Sequence, residues 1–218
     1  MAKKGLLRYY GLDTWWQSAL TSEERERVES CYHEWGNPHP RPLTEQPILL
    51  IVGTNTTTTG FLCDLIGSMR ATPEDRVIRR KMREKLASMC GADASIAVRH
   101  NCLYVLIKDY YRDRLTDPTA MASATDACRQ QIAIAPAVAR EMRVGHPDPR
   151  MVLSNWLGAL PNHLGYYQLS VILMKQHAYD EAIRLCEEAK RAGWNGDWDK
   201  RMARCAAAKA REGRSKPH

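Results

Sequence analysis

Asp109 and Asp113 stand one helical turn apart with His100 upstream, and they are the carboxylate pair whose spacing best suits acid–base chemistry. Arg112 and Arg114 sit beside them, and acids set among cations at that spacing read as a solvated helix face. Gly53 to Gly60 places hydroxyls between two glycines, ahead of an apolar stretch, in the outline of a phosphate cradle. The defining Lys is missing, because Phe61 and Leu62 follow Gly60, so nothing would neutralise the β and γ phosphates. The segment reads instead as a Thr-rich loop that caps a helix. Cys31, His33, His39 and Cys63 are metal-ligating types, but the paired short spacings that specify zinc do not occur. No G-x-S-x-G elbow is present. The expectation is a non-enzymatic protein with no catalytic residue, metal or cofactor, with an enzyme of unfamiliar site in residues 1–94 as a further alternative.

Start and stop signals set the elements around these residues. Thr21 and Glu24 form a capping box that opens a helix running to about Trp35. Pro38, Pro40 and Pro42 then mark a linker over residues 36–42. Ile48 to Val52 is a continuous apolar run; its β-branched content leans towards a short buried strand, its helical surroundings towards a helix. Phe61 to Met69 reads as a helix. Thr72 as cap, Pro73 in the first turn and the acids Glu74 and Asp75 open another, which lasts to about Met89 and stops at Cys90-Gly91. Tyr9, Tyr10, Trp15 and Trp16 read as core packed on the Thr21 helix, with an interface as the alternative.

The chain has 218 residues, 44% of them hydrophobic and 26% charged, with one Phe against nine Tyr and six Trp, which fits a soluble helical protein. Seven cysteines without framework spacing, several on helical core faces (Cys128, Cys186), read as reduced thiols in a cytoplasmic setting. Arg8, Gly11 and Asp13 break the amino-terminal apolar run, so no signal peptide is expected, and no apolar stretch is long enough to span a membrane. The formal net charge of +7 is concentrated in Arg76 to Lys85 and from Lys200 to the end. Arg76, Arg79, Arg80, Arg83, Lys200, Arg201 and Arg204 are the candidates for an anionic partner. No aromatic residues are interleaved to stack bases, so both runs read first as solvated helix faces, with nucleic acid or a nucleoprotein complex as the alternative partner.

Asn162 to Trp194 has a two-helix pattern. Tyr166, Leu169 and Leu173 make one apolar stripe, Ala182, Cys186 and Ala189 a second, and His177 to Asp180 the turn between them. Small residues at Ser170, Ala182 and Ala189 permit close approach of the two helices. The pattern recurs upstream: Tyr104, Ile107 and Tyr111 repeat the first stripe, Asp117-Pro118 marks a turn, and Ala124, Cys128 and Pro136 match Ala182, Cys186 and Trp194 at one constant offset. Lys108 and Gln131 replace the small residues Ser170 and Ala189, which would loosen the first hairpin.

On these residues the chain resembles the tetratricopeptide-repeat-like superfamily over residues 95–210. Residues 1–94 form a helical amino-terminal region, an insertion covers about 140–161, and 212–218 is a basic tail expected to be disordered. The resemblance implies an all-α fold of helical hairpins stacked into a short superhelix, with first helices lining a concave surface and the helix from Gly196 to Ala210 as the carboxy-terminal cap. It implies a protein or peptide partner docked on Leu164, Tyr167, Val171, Met174 and Lys175, a mostly apolar line. The alternative is that the insertion with Trp156, or the amino-terminal half, covers that line and makes it core.

Overall fold

The computed structural model describes residues 5–34, 42–45, 57–91, 94–144 and 160–215. Among them lie ten helices and two very short strands, so the chain is all-α. His39, Ile48–Val52, Gly53–Asn55, Trp156 and most of the proline linker fall outside the described residues. The chain divides into two compact units, Met1–Thr116 and Asp117–His218, so the boundary expected near residue 94 lies inside the first.

The first unit holds α1 (Leu6–Tyr9), α2 (Asp13–Ala19), α3 (Ser22–Glu34), α4 (Thr58–Ser68), α5 (Pro73–Met89) and α6 (Ile96–Arg112). The predicted caps form. The Thr21 amide donates to Glu24 and the Glu24 amide to the Thr21 hydroxyl, at 2.8 and 3.2 Å. Thr57 and Thr72 accept from the amides of Gly60 and Asp75 in the same way. The Thr-rich loop thus ends in a helix cap. α4 is apolar on nearly every face and is buried accordingly, with α3, α5 and α6 packed around it. The only Phe of the chain, Phe61, sits on α4 with Tyr10 stacked on it at 4.5 Å and Tyr32 edge-on at 5.8 Å. Of the amino-terminal aromatic cluster, Trp16 is buried, Tyr10 and Trp15 half-buried, and Tyr9 exposed.

Where α5 meets α6 the sequence-based expectation is overturned. Arg79 and Arg83, placed on a solvated face by their basic run, are 0% and 3% exposed, and Asp109 and Asp113 are equally buried. Arg79 bonds both carboxylates, at 2.6 Å to Asp113 with the Asp109 contact still shorter, and Arg83 bonds Asp109 at 2.9 Å and Asp113 at 3.0 Å. These pairs belong to an antiparallel seam. Arg76, Arg79, Arg83, Leu86 and Cys90 advance along α5 in alternating steps of three and four; Thr116, Asp113, Asp109, Leu106 and Cys102 match them backwards along α6. The Arg76 guanidinium donates to the Thr116 carbonyl at one end, Leu86 and Leu106 are both buried, and Cys90 and Cys102 are disulfide-bonded at the other. That bond corrects the reading of seven reduced thiols; the remaining five, Cys31, Cys63, Cys128, Cys186 and Cys205, are buried and outside any disulfide. The seam also rotates α6 from its expected face: Cys102, Leu103, Leu106, Ile107 and Asp109 point inward, while Tyr104 is 39% exposed.

The second unit holds α7 (Ala120–Val144), β1 (Leu160–Asn162), α8 (Leu164–Lys175), α9 (Tyr179–Arg191), β2 (Trp194–Asn195) and α10 (Trp198–Ser215). Each helix packs on the next. The α8–α9 hairpin has the predicted stripes: Tyr166, Leu169 and Leu173 face inward on α8, and Ala182, Cys186 and Ala189 on α9, all buried. His177 takes a left-handed φ of 62° in the turn, and the Ala178 amide returns to the Leu173 carbonyl at 2.9 Å, closing α8. β1 and β2 pair in parallel and clasp the two open ends of this hairpin. His163 meets the Trp194 ring edge-on at 4.6 Å, and Trp198 donates to the Trp194 carbonyl at 2.7 Å.

α7 departs from the sequence pattern twice. Pro136, matched to the end of a hairpin, lies inside the helix, and α6 and α7 belong to different units. Gln131, expected to loosen packing, is buried and accepts the Gly165 amide at 2.7 Å, filling an open donor in the first turn of α8. A side chain at Gly165 would meet the Cys128 carbonyl at 3.0 Å, so glycine there lets α7 and α8 approach. At the other terminus α10 continues to Ser215, three residues beyond the expected start of a disordered tail at Glu212.

Two predictions follow from the first unit's charges. Asp113→Ala leaves two buried guanidiniums short of a carboxylate and is expected to lower unfolding free energy by about 3–5 kcal/mol in urea denaturation, whereas replacing Arg79, Arg83, Asp109 and Asp113 together by apolar residues recovers most of it. Asp75 is fully buried and accepts from Arg27 at 2.7 and 3.1 Å and from the Arg70 amide at 2.9 Å. Burial works to raise its pKa, but the Arg27 hydrogen bonds, the Arg70 amide and the nearby charges outweigh it and hold the carboxyl below 3.8. Its stabilisation is therefore complete above the unfolded value and is lost as pH falls through the lower folded one. Asp75→Asn should be less stable at pH 7 and lose less stability than the parent between about pH 4 and pH 2.

Candidate docking groove

α8 turns its stripe of Tyr166, Leu169 and Leu173 towards the interior, so Tyr167, Ser170, Val171 and Met174 fall on the adjoining face. α10, following α9, brings Arg201, Arg204 and Cys205 opposite them. Between the two helices lies a cavity of about 220 Å³ lined by these residues. Three of the five expected groove residues, Tyr167, Val171 and Met174, line it together with two cationic candidates, Arg201 and Arg204. Leu164 is half-buried at the start of α8 and Lys175 exposed at its end, and neither is among the lining residues.

The wall on α10 is held by charge. The Arg201 guanidinium lies 3.7 Å over the Tyr167 ring and donates to Asp197 at 2.5 Å and to the Ser170 hydroxyl at 3.4 Å. Its side chain is only 11% exposed. Arg204 donates to the other Asp197 oxygen at 2.8 Å and stays largely in solvent. Burial pushes the Asp197 carboxyl up, but the hydrogen bond and charge of Arg201, with Arg204 behind them, hold it below the usual value. At the floor, the Cys205 thiol is raised by burial, against the lowering pull of the same two arginines. Ser170 donates to the Tyr167 carbonyl at 2.7 Å. An aromatic and aliphatic floor thus lies beside two guanidiniums.

Comparison with protein-family models, curated proteins and solved structures finds no match. The groove's chemistry therefore rests on its own residues.

The other sequence candidates scatter. Lys200 is exposed on α10 and is not among the cavity-lining residues. Arg80 is exposed and Arg76 half-buried, whereas Arg79 and Arg83 are enclosed in the α5–α6 seam, which removes them as contacts for an anionic partner. Asp109 and Asp113, weighed for acid–base chemistry, accept from those same arginines. Burial pushes His100 below its ordinary pKa. Cys31 and Cys63 are buried, and among the described residues no group of three His, Cys, Asp or Glu is placed to hold a metal ion. Asp197 was missed by sequence reasoning. Its spacing of four residues from Arg201 was the signal for it.

Proposed function

We propose that this protein is a non-enzymatic interaction module, an adaptor or regulatory subunit, that docks a protein or peptide partner in the α8–α10 groove of a short tetratricopeptide-like helical surface. One observation carries the reading: Tyr167, Val171 and Met174, which no helix stripe requires, converge with Arg201, Arg204 and Cys205 on a cavity of about 220 Å³. That volume falls below the roughly 300–1,000 Å³ of a small-molecule pocket and suits inserted side chains. The succession of α8, α9 and α10, each packed on the next, supports the repeat-like description. Binding of nucleic acid along the basic runs loses support, because Arg79 and Arg83 lie inside the fold.

Affinity capture from native lysate with the parent chain and with Val171→Glu and Met174→Glu tests the reading. The expected outcome is that both variants keep the parent's far-UV circular dichroism and lose partners that the parent retains in high salt. Loss of folding in both would make the line core, and loss of all captured material from the parent at high salt would favour phosphate contacts.

No described helix is long and apolar enough to cross a membrane. We infer a cytoplasmic setting from the five buried thiols that stay outside any disulfide, with the Cys90–Cys102 bond as the counter-observation, since disulfides are rare in that compartment. Alkylation and mass analysis of protein quenched in its native cells should find Cys31, Cys63, Cys128, Cys186 and Cys205 alkylated as thiols and Cys90 bonded to Cys102; further disulfides among those five would place the protein in an oxidising compartment.

A further inference from the structure

The groove has two chemically different walls, and together they specify more than a generic peptide. Val171 and Met174 are half-buried on one side with an aromatic ring beside them, and Arg201 and Arg204 stand on the other. Two guanidiniums share a single carboxylate, Asp197. Each guanidinium carries five N–H donors. Asp197 and Ser170 take donors from Nε and Nη1 of Arg201, and Asp197 and the Lys200 carbonyl take donors from Nη2 and Nε of Arg204. Among the described residues, the Nη2 group of Arg201 and the Nη1 group of Arg204 have no such partner.

We propose that the occupant of the α8–α10 groove is an acidic peptide segment that inserts an aliphatic side chain against Val171 and Met174 and sets a flanking carboxylate on Arg201 and Arg204. The proposal rests on the docking function above and adds the partner's chemistry. Arg201 is already stacked on Tyr167 and tied to Asp197, so its orientation costs little to fix when a carboxylate arrives. A carboxylate balances the surplus guanidinium charge; a lysine-bearing peptide would place a third cation beside it. A nucleic-acid phosphate satisfies the cations as well, but brings no aliphatic side chain to the Val171–Met174 floor.

Calorimetric titration of the full chain with acetyl-Glu-Glu-Leu-Glu-Glu-amide tests this against two altered peptides, one with Gln for every Glu and one with Gly for Leu. The parent peptide is expected to bind, and each alteration to weaken it by roughly tenfold or more, as losing a charge-assisted hydrogen bond or a buried side chain does. In the protein, Arg204→Gln lies on the exposed rim and should keep the parent's circular dichroism. It should weaken the Glu peptide while leaving the Gln peptide unchanged, and Arg204→Lys should restore part of the loss. Equal binding of the Glu and Gln peptides overturns the acidic occupant while leaving the docking groove in place. No binding of the Glu peptide, or tighter Arg204-dependent binding of an oligothymidylate of equal charge, also overturns it.

Discussion

Two arginines that α5 turns inward must meet carboxylates, because a guanidinium taken out of water without one costs several kcal/mol, on the order of half the stability of a typical domain. In the first unit that demand is met by Asp109 and Asp113, and much else follows from it. A slip of α6 by one turn would leave at least one buried charge uncompensated, so the pairs select a single antiparallel register. Once that register is set, Leu86 and Leu106 are both buried and Cys90 meets Cys102. α4 supplies the apolar cover that these charged helices lack, which is why it is buried almost all round.

The second unit answers a different problem with some of the same chemistry. Its α8–α9 hairpin closes through small residues, Ser170, Ala182 and Ala189, and its ends are clasped by β1 with β2 and by the His163–Trp194–Trp198 cluster. Arginine then appears at the margin. Arg143 donates to the Ala192 carbonyl at the end of α9, and Arg201 packs on Tyr167. The number of arginines thus overstates the guanidiniums left at the surface, because Arg79 and Arg83 serve as packing elements of the protein itself, whereas the net charge is not lowered with them, since Asp75, Asp109 and Asp113 are buried too.

The legible parts of the sequence were those written in local chemistry. The Thr21, Thr57 and Thr72 caps, the limits of α5 and the stripes of α8 and α9 depend on neighbours within a turn or on one helical period, and they form as expected. What was illegible depends on partners far along the chain. Nothing local to Arg79 separates it from an exposed arginine; only the position of Asp113, 34 residues away, does. Gln131 likewise looked like a misfit until Gly165 supplied its donor. The groove was half legible. The family resemblance picked out Tyr167, Val171 and Met174 and made the line look apolar, because the cationic wall comes from a different helix.

That second wall changes what kind of selectivity the surface can have. An apolar line alone holds many hydrophobic segments, and salt hardly affects it. A half-exposed pair such as Arg204 with Asp197 contributes little static affinity in water, yet it acts over about a Debye length, some 8 Å at physiological ionic strength. On the docking function proposed above, the division of labour is between steps: the rim would steer and sort encounters by charge, and the half-buried Val171–Met174 floor would set how long a partner stays. Asp197 tunes the first step without touching the second. It bonds both guanidiniums and cancels part of their charge, so the proposed ligand, bringing its own carboxylate together with an aliphatic side chain, would use both walls at once.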